Sequence, residues 1–153
     1  HVRAALGHLQ QSFGALRGSP VYETPAVGFR GDAFLNLVVG MTTAQTPEAV
    51  IAELRRIEDV EGRVRGAEKF AARTLDLDLL TYGTRTTAAA GKPLPHPDIL
   101  AYDFVLRPLA ELAPEEPHPV LQRGYADLWA EFSQTHPDSG MREVDAILPP
   151  AAG

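Results

Sequence analysis

The feature that most constrains the fold is the alternation of leucine and aspartate in "RTLDLDLLTYG", residues 73–83. Alternate side chains of a β-strand point to opposite faces of its sheet. The pattern therefore predicts a strand with its leucines packed toward a core and with Asp76 and Asp78 on the other face. Two carboxylates at this spacing, about 6.6 Å along the strand, repel each other unless a positive group lies between them.

Magnesium is one candidate for that positive group, because it favours one or two carboxylates together with phosphate oxygens and water. Two ions roughly 4 Å apart could be held by such a pair. The alternative is a strand with one face exposed to water, which explains most pairs of this kind. From the pair alone, both interpretations stay open.

A basic segment, "GRVRGAEKFAAR", precedes the aspartates in a chain whose net charge is -6. Its Arg63, Arg65 and Arg73 could bind phosphate oxygens, since guanidinium groups grip them in a bidentate manner. The alternative is a solvated loop that forms salt bridges with the aspartates. Taken together, the basic and acidic segments favour a magnesium–nucleotide site.

Apolar periodicity and turn residues predict the other elements. Between them lie Gly- and Pro-rich loops, and a disordered tail is expected over 149–153 after a single domain over 1–148. The predicted elements are a helix over 1–16, strands over 18–25 and 34–43, a helix over 47–62, the strand over 73–83, a proline-bounded loop and helix over 94–114, and a helix over 121–132.

This order predicts an α+β fold with helices packed against a mostly antiparallel sheet. A further strand before residue 1 would complete the ferredoxin-like order βαββαβ, so we expect that the first strand is absent from the given chain. The chain has no cysteine and no apolar run of about 18 residues, which predicts neither disulfides nor a membrane span. A cytoplasmic protein is expected, and the acidic charge disfavours nucleic acid and anionic lipid as partners.

Three further side chains could contact a ligand. His96 lies between two prolines and could either cap a backbone group or donate a hydrogen bond to a phosphate oxygen. Phe34 and Phe104 are more typical of core residues when judged by residue type alone.

The segments "ETPAVG", "FLNLVVGM", "RRIEDVEGRVR", "RTLDLDLLTYG" and "LPHPDILAYDFVLRPLAELAP", in this order, resemble the 6-hydroxymethyl-7,8-dihydropterin pyrophosphokinase family of folate biosynthesis. The similarity extends from about residue 1 to 132. It implies a ferredoxin-like α+β fold and transfer of pyrophosphate from ATP to the hydroxymethyl group of the pterin, which gives AMP and the pterin diphosphate. It also implies two Mg²⁺ ions, ATP and the pterin as substrates, and a monomer.

The resemblance assigns roles residue by residue. Asp76 and Asp78 match the aspartates that hold the magnesium ions, and Arg63 and Arg73 match arginines that bind the phosphates and stabilise developing charge. Further contacts with ATP are implied for Arg65 and His96. Glu58 matches a glutamate near the nucleotide, and a position on the helix surface is an equal alternative from the sequence alone. The pterin pocket is implied to comprise Thr24, Pro25, Ala26, Val27, Phe34, Asn36 and Phe104, with the two phenylalanines stacked on the pterin.

The chain departs from the family pattern in four places. Nothing corresponds to the family's first strand. Phe34 stands where a tyrosine is often found, and Tyr102 stands where many members carry an arginine. "FAARTLD" replaces the usual "WGPRTLD", which predicts a more flexible loop before Arg73.

Three other functions are alternatives to the pyrophosphokinase. An RNA-binding ferredoxin-like module would present a basic sheet face with stacking aromatics, whereas this chain has acids on its most distinctive strand. A metal-dependent phosphohydrolase could use the same two aspartates without any pterin. An inactive relative without its first strand would bind partners only, and a thermal shift with a Mg-ATP analogue and pterin separates it from the enzyme.

Overall fold

A computed structural model describes residues 2–25, 34–64 and 75–144 of the chain, with only the backbone of Arg63 and Val64. The described residues form two units: one has 2–16, 41–64 and 75–79, and the other has 17–25, 34–40 and 80–144.

Within the described ranges, four helices accompany antiparallel sheets of two and three strands, which confirms the predicted α+β class and is consistent with a ferredoxin-like fold. The helices are α1 (Val2–Phe13), α2 (Pro47–Val64), α3 (Asp103–Leu112) and α4 (Tyr125–Thr135), with a 3-10 helix at Pro97–Leu100. The strands are β1 (Arg17–Gly18), β2 (Val21–Thr24), β3 (Phe34–Asn36), β4 (Val39–Gly40) and β5 (Arg142–Val144). No helix in these ranges is long and apolar enough to cross a membrane.

The first unit is built on α1 and α2, which pack together. Helix α2 begins as predicted, because the Thr46 hydroxyl accepts a hydrogen bond from the Ala49 amide at 3.1 Å and proline occupies the first helical position. The predicted stop at Gly62 is wrong, since Gly62 keeps a helical backbone and the helix continues to Val64. The buried residues of α1 and α2 recur every three or four positions, as the apolar periodicity of the two segments predicts. They include Leu6, Leu9, Phe13, Val50, Leu54 and Ile57.

Polar contacts add to the packing of α1 on α2. The Ser12 hydroxyl and the Arg56 guanidinium both donate hydrogen bonds to the Glu53 carboxylate. The hydrogen bond from Arg56 has the larger effect and that from Ser12 adds to it, and together they lower the pKa of Glu53 to about 2. Near the other end of the pair, His8 Nε2 lies 3.2 Å from a carboxylate oxygen of Glu61.

In the second unit, the single strand predicted over 34–43 is two short strands in different sheets. β4 pairs with β1, and β3 pairs with β2. Between the two pairings, one side of the ladder has three residues (19–21) and the other side has two (37 and 38). The extra residue forms a bulge. Pro20 has no amide hydrogen to continue the ladder, and the Ser19 hydroxyl accepts a hydrogen bond from the Val38 amide at 2.9 Å instead.

Strand β5, which the sequence did not predict, pairs with β2 on the edge opposite β3. Two of its three side chains are charged and exposed, so no apolar pattern indicates it. Main-chain pairing and an ion pair between Arg142 and Glu23 attach it. The Ser139 amide just before it donates to the buried carboxylate of Asp103 at 2.9 Å.

Helices α3 and α4 pack on each other and enclose an apolar cluster. The predicted start of α4 at residue 121 is wrong. Gln122 has a left-handed backbone (φ 59°), and Gly124 precedes the first helical turn, so the helix begins at Tyr125. The buried members of the cluster are Ile99, Leu106, Leu109, Ala110, Tyr125, Leu128 and Phe132.

The turn before α4 contains a buried histidine that makes stability depend on pH. His118 Nδ1 accepts hydrogen bonds from the Val120 and Leu121 amides, both at 3.1 Å. Burial lowers the pKa of His118 below its usual value. The folded protein therefore holds His118 neutral, whereas the unfolded chain takes up a proton as the pH falls through about 6.5.

We expect the contribution of His118 to stability to be complete above pH 6.5 and to be lost as the pH falls below it. The variant His118→Asn should lose less stability between pH 7.5 and 5, because the asparagine oxygen can accept the same amides without titrating. Urea unfolding of both proteins at the two pH values measures this difference. Equal losses in the two proteins would contradict the assignment.

Candidate functional site

The aspartate segment keeps the predicted alternation but is not a strand. Residues 75–82 pair with no strand in the described part of the chain. Over 75–79, the leucines are half-buried and the aspartates are exposed. The Leu77 amide donates to the Glu58 carboxylate at 2.6 Å. A side chain of α2 thus satisfies a backbone group that a sheet neighbour would otherwise satisfy.

Glu58 connects α2 to the acidic segment electrostatically as well. Burial raises the pKa of Glu58 above its usual value, and the charges of Asp76 and Asp78 add to the effect, while the Leu77 hydrogen bond acts against it. Both aspartates therefore lie within electrostatic range of Glu58. The sequence placed Glu58 near the nucleotide, and the structure places its carboxylate on the backbone between the two aspartates.

Asp76 and Asp78 suit a magnesium ion by their chemistry. Both aspartates are exposed, with a half-buried leucine between them, and magnesium commonly takes one or two carboxylates and fills its other positions with phosphate and water. Among the described side chains, no group of three or more His, Cys, Asp or Glu residues could hold a metal by itself. The donors present therefore fit an ion shared with a phosphate ligand.

Several predicted site residues lie outside the part of the chain that the structure describes. Arg63 belongs to the last turn of α2, where only the backbone is described. Arg65, Arg73, Ala26 and Val27 lie in the undescribed ranges.

In the second unit, strands β2 and β3 bring three predicted pterin residues together. In their register, Thr24 opposes Phe34 and Tyr22 opposes Asn36. Directly opposed residues of antiparallel strands, and residues two apart on one strand, share a face. These four side chains therefore lie on one face of the sheet, where the Asn36 amide donates to the Thr24 hydroxyl at 3.2 Å.

Helix α3 packs on β2 and carries another predicted pterin residue, Phe104. Tyr22 donates a hydrogen bond to Glu111, and the guanidinium carbon of Arg107 lies 4.9 Å from the centre of the Tyr22 ring. Phe104, Arg107 and Glu111 are spaced by three and four residues, so they share one side of the helix. Phe104 thus lies at the N-terminal end of the side of α3 that meets the β2–β3 face.

Two aromatic side chains of this region, Phe34 and Tyr102, are exposed to solvent. Phe34 is 45% exposed, so the core position favoured by its residue type is wrong. Phe104 is half-buried and stacks on Tyr102, with ring centres 4.9 Å apart and ring planes 20° apart. Tyr102, which replaces the usual arginine, therefore supports one face of Phe104.

His96 caps the 3-10 helix, because its Nδ1 accepts a hydrogen bond from the Asp98 amide at 3.1 Å. This contact confirms the capping interpretation. It also places the proton of the neutral ring on Nε2, which can donate to another group. The capping and phosphate-binding roles are therefore compatible.

Sequence reasoning missed Tyr22, Arg107 and Glu111, which join β2 to α3. The sequence contained part of the information that could have identified them. Tyr22 shares the alternation of Thr24, and Arg107 and Glu111 lie three and seven residues after Phe104. Their pairing across the chain was not visible in the sequence.

The known proteins that this chain resembles carry names from folate biosynthesis. The sequence profile of the 7,8-dihydro-6-hydroxymethylpterin-pyrophosphokinase family matches residues 1–114. α4 and β5 lie beyond the matched residues.

Similar proteins carry corresponding names. The folic acid synthesis protein fol1 of Pneumocystis carinii is 36% identical over 106 residues, 69% of this chain and 14% of that protein. A 2-amino-4-hydroxy-6-hydroxymethyldihydropteridine pyrophosphokinase of Synechocystis is 39% identical over 99 residues, 65% of this chain and 50% of that protein. The protein of the same name from Aquifex aeolicus is 28% identical over 124 residues, 80% of this chain and 77% of that protein. The chain thus spans half or less of the length of the first two relatives.

Proposed function

Because this chain belongs to the 7,8-dihydro-6-hydroxymethylpterin-pyrophosphokinase family, we propose that it transfers pyrophosphate from ATP to 6-hydroxymethyl-7,8-dihydropterin in folate biosynthesis. The hydroxymethyl oxygen attacks the β-phosphorus, the bond between that phosphorus and the α-phosphate oxygen breaks, and AMP leaves. The hydroxyl loses its proton, and the pterin diphosphate forms. The family match over residues 1–114, which includes the Asp76–Asp78 pair, is the observation that carries this proposal.

We assign the pterin to the β2–β3 face and the adjoining end of α3. Phe34 and Phe104 offer accessible ring faces on which a flat heterocycle can stack. The Asn36 amide can both donate to and accept from the edge of the pterin. The Thr24 hydroxyl accepts a hydrogen bond from the Asn36 amide and so fixes its orientation. On the family resemblance, Pro25, Ala26 and Val27 are assigned to the same pocket.

We assign the phosphates of ATP to the acidic and basic segments. Asp76 and Asp78 would hold two Mg²⁺ ions, and magnesium bound there supplies charge neutralisation to the triphosphate. In this proposal, Arg63 and Arg73 bind the phosphate oxygens and stabilise charge on the leaving AMP, and Arg65 makes a further contact with the nucleotide.

The remaining assignments concern hydrogen bonds on the nucleotide side. His96 Nε2 donates to a phosphate oxygen, while its Nδ1 stays on the Asp98 amide. Glu58 acts in this proposal by holding the backbone between the two aspartates. The chain is proposed to act as a monomer in the cytoplasm, with no nucleic-acid or membrane partner.

The nucleotide product of the chain tests this function. With Mg-ATP and 6-hydroxymethyl-7,8-dihydropterin, we expect AMP to form at the same rate as the pterin diphosphate, and no AMP without the pterin. Chromatography of both products measures the two rates. Release of phosphate from ATP without the pterin would instead indicate a phosphohydrolase, and no product in either mixture would indicate an inactive relative.

A further inference from the structure

Three side chains join strand β2 to helix α3 beside the proposed pterin site. Tyr22 is fully buried, and its hydroxyl donates a hydrogen bond to Glu111. The Arg107 guanidinium lies over the Tyr22 ring and 3.6 Å from a Glu111 oxygen. These three residues form what we call the tyrosine clasp.

The tyrosine clasp joins the two elements that carry the proposed pterin contacts. On the strand side, Tyr22 opposes Asn36 and lies two residues from Thr24 on the same face. On the helix side, Glu111 lies two turns from Phe104 along the same side of α3. The distance between the β2–β3 face and α3 at the proposed pterin site therefore depends on this contact.

The hydrogen bond is of the stronger kind, because its acceptor is a carboxylate oxygen. Burial and the neighbouring Glu111 raise the pKa of Tyr22 to about 12. The hydroxyl is therefore protonated, and able to donate, throughout the neutral range. Removing the Glu111 carboxylate leaves the buried Tyr22 hydroxyl without its acceptor, and removing the hydroxyl releases Glu111 from the strand. Either change favours a shift of α3 relative to the strand.

We propose that Tyr22 and Glu111 are positioning residues for the pterin, setting the separation between the β2–β3 face and Phe104 without touching the substrate. This inference rests on the proposed function. Stacking on an aromatic ring depends on the separation of the ring planes, so a small displacement of α3 weakens pterin binding. ATP contacts assigned to other segments are left unchanged.

Direct titration of the pterin onto the full chain tests the inference. The variants are Tyr22→Phe, which removes only the hydroxyl, Glu111→Ala, which removes the acceptor at a half-exposed position, and the double variant. The matched control is Tyr125→Phe. Tyr125 is equally buried in the same unit, and its hydroxyl has no hydrogen-bond partner within the described residues.

We expect each single variant to raise the Kd and KM for the pterin roughly three- to tenfold, less than the full contribution of a hydrogen bond to a charged group, because the contact affects the pterin only through the position of α3. The double variant should lose little more, since both changes remove the same contact. The KM for ATP should stay constant, and kcat should change less than the KM for the pterin. Tyr125→Phe should bind pterin as the wild type does.

Urea unfolding distinguishes positioning from a merely structural role. Lower unfolding free energies of Tyr22→Phe and Glu111→Ala with an unchanged pterin Kd would overturn the inference, as would additive losses in the double variant. A wild-type chain that binds pterin but forms no AMP would overturn the proposed function alone, because the ratios of pterin Kd still test the clasp. A wild-type chain that binds no pterin would overturn both.

Discussion

Asp78→Ala is expected to reduce pyrophosphoryl transfer by at least about a hundredfold, because changing even an outer-shell partner of a metal ligand commonly costs 10- to 100-fold. Asp78 is exposed, so its removal should barely change the free energy of unfolding. Its charge also raises the pKa of Glu58, so the variant relieves a repulsion within the folded chain. Pterin binding should persist, since the pterin is assigned to another part of the chain.

Steady-state rates of AMP formation over a range of magnesium concentrations, with a parallel pterin titration, measure this result. Asp59→Ala is the matched control, because Asp59 is an exposed carboxylate beside Glu58 that lies outside the aspartate pair. The control should keep the wild-type rate and magnesium dependence. Unchanged turnover in Asp78→Ala would refute the metal-binding role of this residue.

The helices could be predicted well because their signals are local. The Thr46–Pro47 start and the apolar stripe of α2 are readable within one segment, and the structure confirms both. Errors are confined to ends, where a glycine is ambiguous. Gly62 continues a helix, whereas Gly124 immediately precedes one.

The strands were less predictable because a strand depends on its partners. β5 has exposed charged residues, and only its pairing with β2 defines it. Conversely, the strongly alternating segment after residue 74 keeps its two faces but has no strand pairing among the described residues. Alternation therefore predicted which side chains are exposed better than it predicted the hydrogen bonds of the backbone.

The candidate site shows the same division between local and distant information. The Asp76–Asp78 pair was readable from alternation, and the roles of Phe34 and Phe104 came from the family resemblance. The contact between Glu58 and the Leu77 amide spans 19 positions, and that between Tyr22 and Glu111 spans 89. No spacing rule reaches across such separations, so these two contacts emerged only from the structure.

Phe104→Ala is expected to raise the pterin Kd roughly 10- to 100-fold, since stacking of a base on an aromatic side chain contributes about 1–3 kcal/mol. The ring is half-buried and stacked on Tyr102, and it is not part of the buried α3–α4 cluster. The loss of stability should therefore be smaller than the loss of pterin affinity. Direct titration of the pterin and urea unfolding of the same protein compare the two losses.

Val105→Ala is the matched control on the adjacent position of α3. Val105 is also half-buried, but it packs against the α3–α4 cluster. One residue corresponds to a rotation of about 100° around a helix, so its side chain points in a different direction from that of Phe104. We expect the reverse outcome for this variant, a loss of about 1 kcal/mol in unfolding free energy with unchanged pterin affinity. Equal pterin affinity in Phe104→Ala and the wild type would exclude Phe104 from the pterin site.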